Sequence, residues 1–442
     1  MTKVAFISLG CSKNLVDTEV MLHNLHKAGF EVTFDTEEAE IVVVNTCGFI
    51  ESAKTEAIDN ILDAAELKKY GKCKHLIATG CLVERYREEV MNELPELDAL
   101  VGVGSLHRIA DACEAVMRGE KYTSFEDKNT SVLGGGRVLT TLPHTAYLKI
   151  AEGCDNCCTY CAIPLIRGKF RSRTIEDIVE EARQLETTGV KELNLIAQDT
   201  TRYGLDLYGE YSLARLVREI TKNTDIPWIR LLYCYPDKIT DELIDEFKNN
   251  DRLLKYMDIP VQHISDKILR LMNRHGGKQL IMDNIAKLRA NVPGIVLRTT
   301  AMVGFPGEDE ADFEELCLFI KQTGFERFGA FTFSPEDDTP AALMDGQIDE
   351  QVKQDRYDAL MQTQLTVTEE LSLRYIGEER VVLIDGYDTV AEIYYGRSYA
   401  DAPDVDGKIY VRADKNAYVP GEFVKVKVAE AIDYDLIADP ID

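Results

Sequence analysis

The chain of 442 residues is too long for one compact core and suits two or three domains. Its 45% hydrophobic content is ordinary for a soluble protein, no apolar run approaches the ~18 residues of a membrane span, and the N-terminal apolar run is too short for a secretory signal. We therefore expect a cytoplasmic protein without a membrane partner. The 77 acidic and 50 basic residues give a net charge of −27, which disfavours nucleic acid and suits a basic protein partner.

Strands and helices alternate through residues 1–118. Buried strands are predicted in KVAFISLG, EIVVVNT, HLIATG and LDALVGVGS, and helices between them include one over 50–69 and one ending at Glu93. Apolar strands separated by helices predict an open parallel sheet. Residues 119–143 lose the pattern and contain three consecutive glycines, so we interpret them as a linker.

Two further domains are predicted after the linker. Residues 144–370 contain six candidate strands, TAYLKIAEG, VKELNLIAQD, WIRLLYCYP, YMDIPVQ, GIVLRTTAMVGFPG and ERFGAFTFSP, each followed by a helical stretch. Six such units predict a partial (β/α)6 barrel with its chemistry at the C-terminal ends of the strands. Residues 371–438 consist of short strands separated by turns, which predicts a small antiparallel β-barrel. The fold class is therefore α/β with a C-terminal β-barrel.

Three cysteines each follow a predicted strand of the first sheet. Cys11 follows FISLG, Cys47 follows IVVVNT and Cys81 follows LIATG. Ligands bind at the carboxyl ends of strands in open α/β sheets, so we expect the three thiols to lie together. Burial of three small residues is the ordinary alternative. Three thiolates leave one position of a metal site open, and open positions serve chemistry.

A second group of cysteines lies in the segment GCDNCCTYC, residues 153–161. A reducing compartment disfavours disulfides, and two adjoining CxxC pairs leave too little chain to wrap a zinc ion. An iron–sulfur cluster held by three of the four thiols has two possible sets of ligands. The ligands are Cys154, Cys158 and Cys161, or else Cys154, Cys157 and Cys161.

The first of these ligand sets, CxxxCxxC, resembles the radical S-adenosylmethionine (SAM) enzymes. Tyr160 before the last cysteine and the place of the motif after the first barrel strand strengthen the resemblance. It implies that Cys154, Cys158 and Cys161 hold a four-iron–four-sulfur cluster, which cleaves SAM to a radical that abstracts hydrogen from the substrate. Cys157 is then a bystander. The expected SAM contacts, which lie at the motif or near ends of later strands, are Tyr160, Gln198, Gln262, Arg298 and Val303, the first residue of VGFPGE. Loop capping is the ordinary alternative for the two glutamines.

The N-terminal segments SLGCSKNLVD, VVNTCGFI and ATGCLVERY resemble those of the methylthiotransferases, and the C-terminal barrel resembles their TRAM domain. The resemblance implies a second four-iron–four-sulfur cluster on Cys11, Cys47 and Cys81 that supplies sulfur, a second SAM that supplies the methyl group, and an electron donor such as flavodoxin or ferredoxin. One branch, MiaB, modifies tRNA. The other, RimO, modifies an aspartate of ribosomal protein S12.

Two features favour the RimO branch. QHIS stands where MiaB-type sequences read QSGS, and residues 374–442 contain eight basic and fifteen acidic residues, which suits a basic protein better than RNA. The alternatives are tRNA methylthiolation and, from another class, a non-catalytic iron–sulfur electron carrier. The remaining cysteines, Cys73, Cys113, Cys234 and Cys317, are expected to serve packing.

Overall fold

The computed structural model describes residues 1–441, and its first unit is an α/β sheet. Its elements are β1 (Lys3–Ser8), α1 (Ser12–Lys27), β2 (Glu31–Thr33), β3 (Ile41–Thr46), α2 (Glu51–Tyr70), β4 (His75–Gly80), α3 (Cys81–Tyr86), α4 (Glu88–Glu93), β5 (Ala99–Val101), a 3₁₀ turn (Val103–Arg108), α5 (Ile109–Met117) and β6 (Tyr122–Ser124). The strands pair in parallel in the order β2-β1-β3-β4-β5-β6, so the predicted open parallel sheet is confirmed. Every residue of β3 is buried, as a central strand covered on both faces requires.

Three details of this unit differ from the sequence-based expectation. The short edge strands β2 and β6 were not predicted, and β6 lies within the expected linker. The single helix expected to end at Glu93 is broken into α3 and α4 at Arg87, whose φ of 43° cannot continue a right-handed helix.

The central unit is a second parallel sheet. Its elements are β7 (Thr145–Lys149), β8 (Ala151–Glu152), α6 (Ile163–Arg167), β9 (Arg171–Ser172), α7 (Ile175–Thr187), β10 (Glu192–Ile196), α8 (Leu205–Tyr208), α9 (Leu213–Asn223), β11 (Trp228–Leu231), α10 (Asp241–Asn249), β12 (Leu253–Asp258), α11 (Asp266–Leu271), α12 (Gly277–Asn291), β13 (Val296–Val303), α13 (Glu310–Thr323), β14 (Arg327–Thr332) and α14 (Glu350–Tyr375). The strand order β14-β13-β12-β11-β10-β7 leaves β7 and β14 at opposite edges, which confirms the partial six-stranded barrel. Among residues 1–441, none of the helices combines the length and apolar character of a membrane span.

The C-terminal unit is a closed five-stranded barrel. Its strands are β15 (Glu379–Asp388), β16 (Ile393–Arg397), β17 (Ile409–Val411), β18 (Phe423–Ile432) and β19 (Asp435–Pro440). The expected barrel is present, but it is not wholly antiparallel, because β17 and β19 pair in parallel where the barrel closes. Helix α14 passes through residue 371, where the sequence pattern changes, and leads directly into this unit.

The C-terminal barrel is docked on the central sheet through buried polar contacts. Arg230 of β11 donates hydrogen bonds to the carbonyl oxygens of Tyr399 (2.7 Å) and Ser398 (3.2 Å), which follow β16. Arg397 of β16 forms ion pairs with Glu192 of β10 and with Asp385 of its own barrel. The side chain of Glu192 is fully buried, so its charge depends on these arginines for compensation.

We predict that Arg397→Ala weakens this docking. The substitution leaves two buried carboxylates short of a partner, and such a loss costs roughly 3–5 kcal/mol of the free energy of unfolding. Denaturant unfolding can be followed by fluorescence of Trp228, the single tryptophan, whose ring lies 4.9 Å from that of Phe423 across the same interface. Arg412→Ala is the matched control, since Arg412 pairs with Glu430 on the surface; equal transitions for the two variants would contradict the prediction.

Candidate functional site

The three N-terminal cysteines lie at one edge of the first sheet. Cys11 immediately precedes α1, Cys47 follows β3, and Cys81 is the first residue of α3 after β4. Because β1, β3 and β4 are neighbours in a parallel sheet, their carboxyl ends share that edge. Burial raises the pKa of the Cys47 and Cys81 thiols, that of Cys81 to about 12, and the nearby thiols of the trio act in the same direction.

A glycine adjoins each of these cysteines in sequence and allows the loops to approach closely. A Cβ on Gly10, whose φ is +87°, would lie 2.8 Å from the Cβ of Cys47. A Cβ on Gly80, whose φ is +92°, would lie 2.5 Å from the carbonyl oxygen of Thr46, and one on Gly48 would lie 2.7 Å from the Cα of Leu82. Side chains at these positions would push the three thiol-bearing loops apart.

Cys11 is the thiol of this group that is most readily ionised. Burial acts to raise its pKa, but the cations of Lys13 and Arg167 and the backbone N–H groups at the start of α1 outweigh burial, so the pKa of Cys11 lies below its usual value. The thiolate is the form of cysteine that binds metals.

The second group of thiols lies in the loop between β8 and α6. The N–H of Cys161 donates to the carbonyl oxygen of Cys158 (3.0 Å), so the chain turns back on itself there. Burial raises the pKa of Cys154 to about 12 and that of Cys161 further, and Cys158 adds to both shifts. Cys157 differs from these three, because it is exposed and its φ of 50° is left-handed.

Two residues beside Cys158 were not singled out in the sequence. The Tyr235 hydroxyl lies 3.8 Å from the Cys158 sulfur, and Nη1 of the buried Arg274 lies 3.9 Å from the same atom. Nη1 of Arg274 also donates to the Tyr160 hydroxyl at 3.2 Å. Tyr235 lies in the YCYP segment after β11, so its place beyond a barrel strand is the signal that could have identified it.

Gln198 and Gln262, the two glutamines expected to contact SAM, lie beyond strand ends and carry unpartnered acceptors. The Gln198 amide donates to Glu152 (2.7 Å), while its Oε1 is buried and has no hydrogen-bond partner. The Oε1 of Gln262 is also buried and unpartnered, and the φ of Gln262 is 69°. Buried acceptors normally have partners, so these atoms fit a site that receives a polar ligand.

The structure separates Val303 and Arg298, two other expected contacts. Val303 ends β13 at the carboxyl edge of the sheet, but Arg298 lies five residues earlier, about 16 Å along the strand. Its guanidinium is engaged by Asp258 (2.9 Å) and by Asp406 (3.5 Å) of the C-terminal unit. Tyr160 packs edge-on against Phe305, with ring centroids 6.4 Å apart.

A buried interface joins the two groups of thiols. Cys81 packs with Ala162 and Ile166, which lie just beyond Cys161, because α3 contacts α6. Arg167 at the end of α6 places Nη2 3.4 Å from the Cys81 sulfur. Its Nη1 pairs with Asp17 of α1 (2.6 Å) and with Glu152 of β8 (3.2 Å), and Lys149 of β7 contacts both carboxylates. The two thiol sites are therefore neighbours.

All eleven cysteines are free thiols. Within residues 1–441, no three His, Cys, Asp or Glu side chains are arranged as ligands of a single metal ion. An iron–sulfur cluster presents a separate iron atom to each thiolate, so its ligands need not converge on one point. The exposed thiol of Cys11 and the half-buried thiols of Cys47 and Cys154, each next to a glycine, suit that larger group.

Family models match three parts of the chain. Residues 3–102 match Uncharacterized protein family UPF0004, residues 148–320 match the Radical SAM superfamily, and residues 376–441 match the TRAM domain. Among solved structures, the radical S-adenosylmethionine methyltransferase TsrM from Kitasatospora setae has a TM-score of 0.57 at 15% identity and covers 78% of this chain and 75% of its own. This similarity concerns the fold.

Curated relatives match nearly the whole chain. Ribosomal protein uS12 methylthiotransferase RimO of Clostridium botulinum (strain Eklund 17B / Type B) is 48% identical over 439 residues, 98% of this chain and 97% of the relative. The protein of the same name from Caldanaerobacter subterraneus is 50% identical over 440 residues, 99% of this chain and all of the relative.

The fold, the thiol sites and these matches define the chain as a radical SAM enzyme of the transferase class, and this class uses SAM and a four-iron–four-sulfur cluster. Within it, the chain belongs to the RimO methylthiotransferase family. The resemblances to radical SAM enzymes and to the TRAM domain are confirmed.

Proposed function

We propose that the protein adds a methylthio group to the β-carbon of an aspartate in ribosomal protein S12. The observation that carries the proposal is the junction of two three-thiol sites across α3 and α6, in a chain about half identical to uS12 methylthiotransferases over its whole length. A non-catalytic electron carrier has no need of the unpartnered acceptors on Gln198 and Gln262.

In this proposal Cys154, Cys158 and Cys161 hold the SAM-binding cluster, and Cys11, Cys47 and Cys81 hold a second four-iron–four-sulfur cluster. The lowered pKa of Cys11 and the glycines beside all three N-terminal thiols support the second assignment. When bound, these groups and SAM supply the hydrogen abstraction, the sulfur and the methyl group that side chains cannot provide for an unactivated C–H group.

In this proposal the protein's own residues bind and orient SAM and the clusters. Gln198 and Gln262 offer buried acceptor oxygens to SAM, and Arg274 and Tyr235 face Cys158. Arg167 places positive charge beside Cys81, which offsets the negative charge of thiolate ligands. A flavodoxin or ferredoxin in the cytoplasm is the proposed source of electrons.

The C-terminal barrel supports a protein substrate over RNA. Tyr394 is 2% exposed, and its ring packs against Tyr387 (4.8 Å) and Tyr418 (5.4 Å). Tyr394 therefore fills the barrel, and the half-buried Tyr387 and Tyr418 pack against its core, whereas RNA-binding barrels present aromatic rings to stack on bases.

Mass spectrometry of two candidate substrates tests the proposal. The anaerobically reconstituted enzyme is incubated with SAM and a reductant, together with S12 in one reaction and bulk tRNA in another. We expect a methylthio adduct on an S12 aspartate and none on tRNA. An adduct on tRNA alone would assign the protein to tRNA methylthiolation, and no adduct together with no SAM cleavage would favour the electron carrier.

The assignment of the second cluster can be tested by a substitution at Gly10, which lies beside Cys11. Gly10→Ala would force the Cys11 and Cys47 loops apart, and we expect iron content after reconstitution to fall from about eight to about four atoms per chain. Gly29→Ala is the matched control, because Gly29 has the same φ of +87° but no atom within 4 Å of the added Cβ. Equal iron content in the two variants, measured by colorimetric iron and sulfide assays, would count against this cluster site.

The role of Cys157 can be tested by comparing alanine variants of Cys157 and Cys158. Because Cys157 is exposed on left-handed backbone, we expect Cys157→Ala to retain its iron and its SAM cleavage, and Cys158→Ala to lose the cleavage and about half of the iron. Iron assays and detection of the SAM fragments measure both effects. The reverse result would assign the ligands to Cys154, Cys157 and Cys161.

A further inference from the structure

Lys13 is a buried cation without a carboxylate partner. The residue is 7% exposed, and no Asp or Glu oxygen in residues 1–441 lies within 4.0 Å of its Nζ. The other lysines buried to this degree all have such a partner, and they are Lys54, Lys149, Lys238 and Lys353. Lys13 acts on the Cys11 thiol, but no carboxylate compensates its charge. A buried ammonium group that lacks a carboxylate partner is costly, so proteins keep one where it has a use.

An aromatic ring holds this cation in place. The Nζ of Lys13 lies 3.1 Å from the centroid of the Tyr233 ring. Tyr233 follows β11 and has a left-handed φ of 61°, and its backbone N–H donates to Asp258 at 2.9 Å. The Tyr233 hydroxyl lies 3.5 Å from the hydroxyl of Ser12. The strained backbone and the two contacts fix the ring beneath the ammonium group.

Lys13 also lies where the two halves of the site meet. It is two residues beyond Cys11 at the start of α1, and Tyr233 belongs to the carboxyl edge of the central sheet. A barrel enzyme places its substrate at that edge. Lys13 therefore lies between the first thiol site and the carboxyl edge of the central sheet.

We propose that Lys13 binds the carboxylate of the substrate's acidic side chain and positions its neighbouring carbon. This inference rests on the proposed function, in which that side chain is an aspartate of S12. The carboxylate is one bond from the β-carbon, so an ion pair at Lys13 limits where this carbon lies. Lys13 is a positioning residue; it forms no covalent bond and transfers no proton. Lys13 also contributes to substrate specificity, because asparagine and nucleobases carry no carboxylate for it to bind.

The test compares S12 with S12 in which the modified aspartate is replaced by asparagine. Binding of each to the reconstituted enzyme, and kcat and KM for S12, are measured for the unaltered enzyme and for Lys13→Met, Lys13→Arg and Lys27→Met. Lys27 lies in the last turn of the same helix and is exposed, so Lys27→Met is the control for a lost charge. Iron content and SAM cleavage without S12 are recorded for every variant.

We expect the unaltered enzyme to bind the aspartate form more tightly than the asparagine form. Lys13→Met should weaken S12 binding by about ten- to hundredfold, the range for a lost hydrogen bond to a charged group, and should remove the preference for aspartate. Lys13→Arg should preserve most of this preference, and Lys27→Met all of it.

Two results would overturn the inference. The first is equal binding of the two S12 forms by the unaltered enzyme, a measurement that needs no variant to fold. The second is an undiminished aspartate preference in Lys13→Met. If that variant also loses iron, Lys13 would be assigned to Cys11 alone. If the unaltered enzyme does not modify S12 at all, the proposed function fails as well, so the two failures are distinguishable.

Discussion

The relative position of the two α/β units depends on one buried group of opposite charges. Asp17 of the first unit and Glu152 of the second share Lys149 and Arg167, so two carboxylates are matched by two cations. Burial acts to raise the pKa of Glu152, but Lys149 and Arg167 hold it far below its usual value, so the group stays charged. Four buried charges are tolerated only as a complete set. Since Asp17 follows Cys11 by six residues and Glu152 precedes Cys154 by two, this set also fixes the two thiol loops against each other.

The structure changes the interpretation of the acidic excess in the C-terminal barrel. The acidic excess of residues 374–442 includes Asp385, Asp401 and Asp406, whose side chains are at most 7% exposed. They pair with arginines, two of which, Arg298 and Arg327, belong to the central sheet. Part of the excess therefore docks the barrel instead of facing a partner. A count of charges cannot separate these roles, because it carries no information on burial.

The long apolar strands could be predicted from the sequence. The short edge strands, and the ion pairs between residues distant in sequence, could not. All six strands of the central sheet were predicted, because each lies in a short segment rich in apolar residues that is followed by a helix. The missed strands β2 and β6 have three residues each and lie at the edges of their sheet. The thiols could be located from strand ends alone. Arg167 could not, because its partner Asp17 is 150 residues away and an ion pair leaves no local pattern.

Helix α1 joins the first unit to the linker and to the central unit. Its buried residues include the polar side chains Asn14, Asp17 and Glu19, and buried polar groups require partners. Glu19 finds its partner in Arg137 (2.6 Å), which lies in the segment that composition marks as a linker. Arg137 also pairs with Glu181 of α7 (2.7 Å), so this segment is anchored to both units. The buried polar groups of this helix therefore find partners in its own unit, in the linker and in the central unit. Cys11, the residue that precedes this helix, is therefore tied to the central unit, which carries the loop of Cys154.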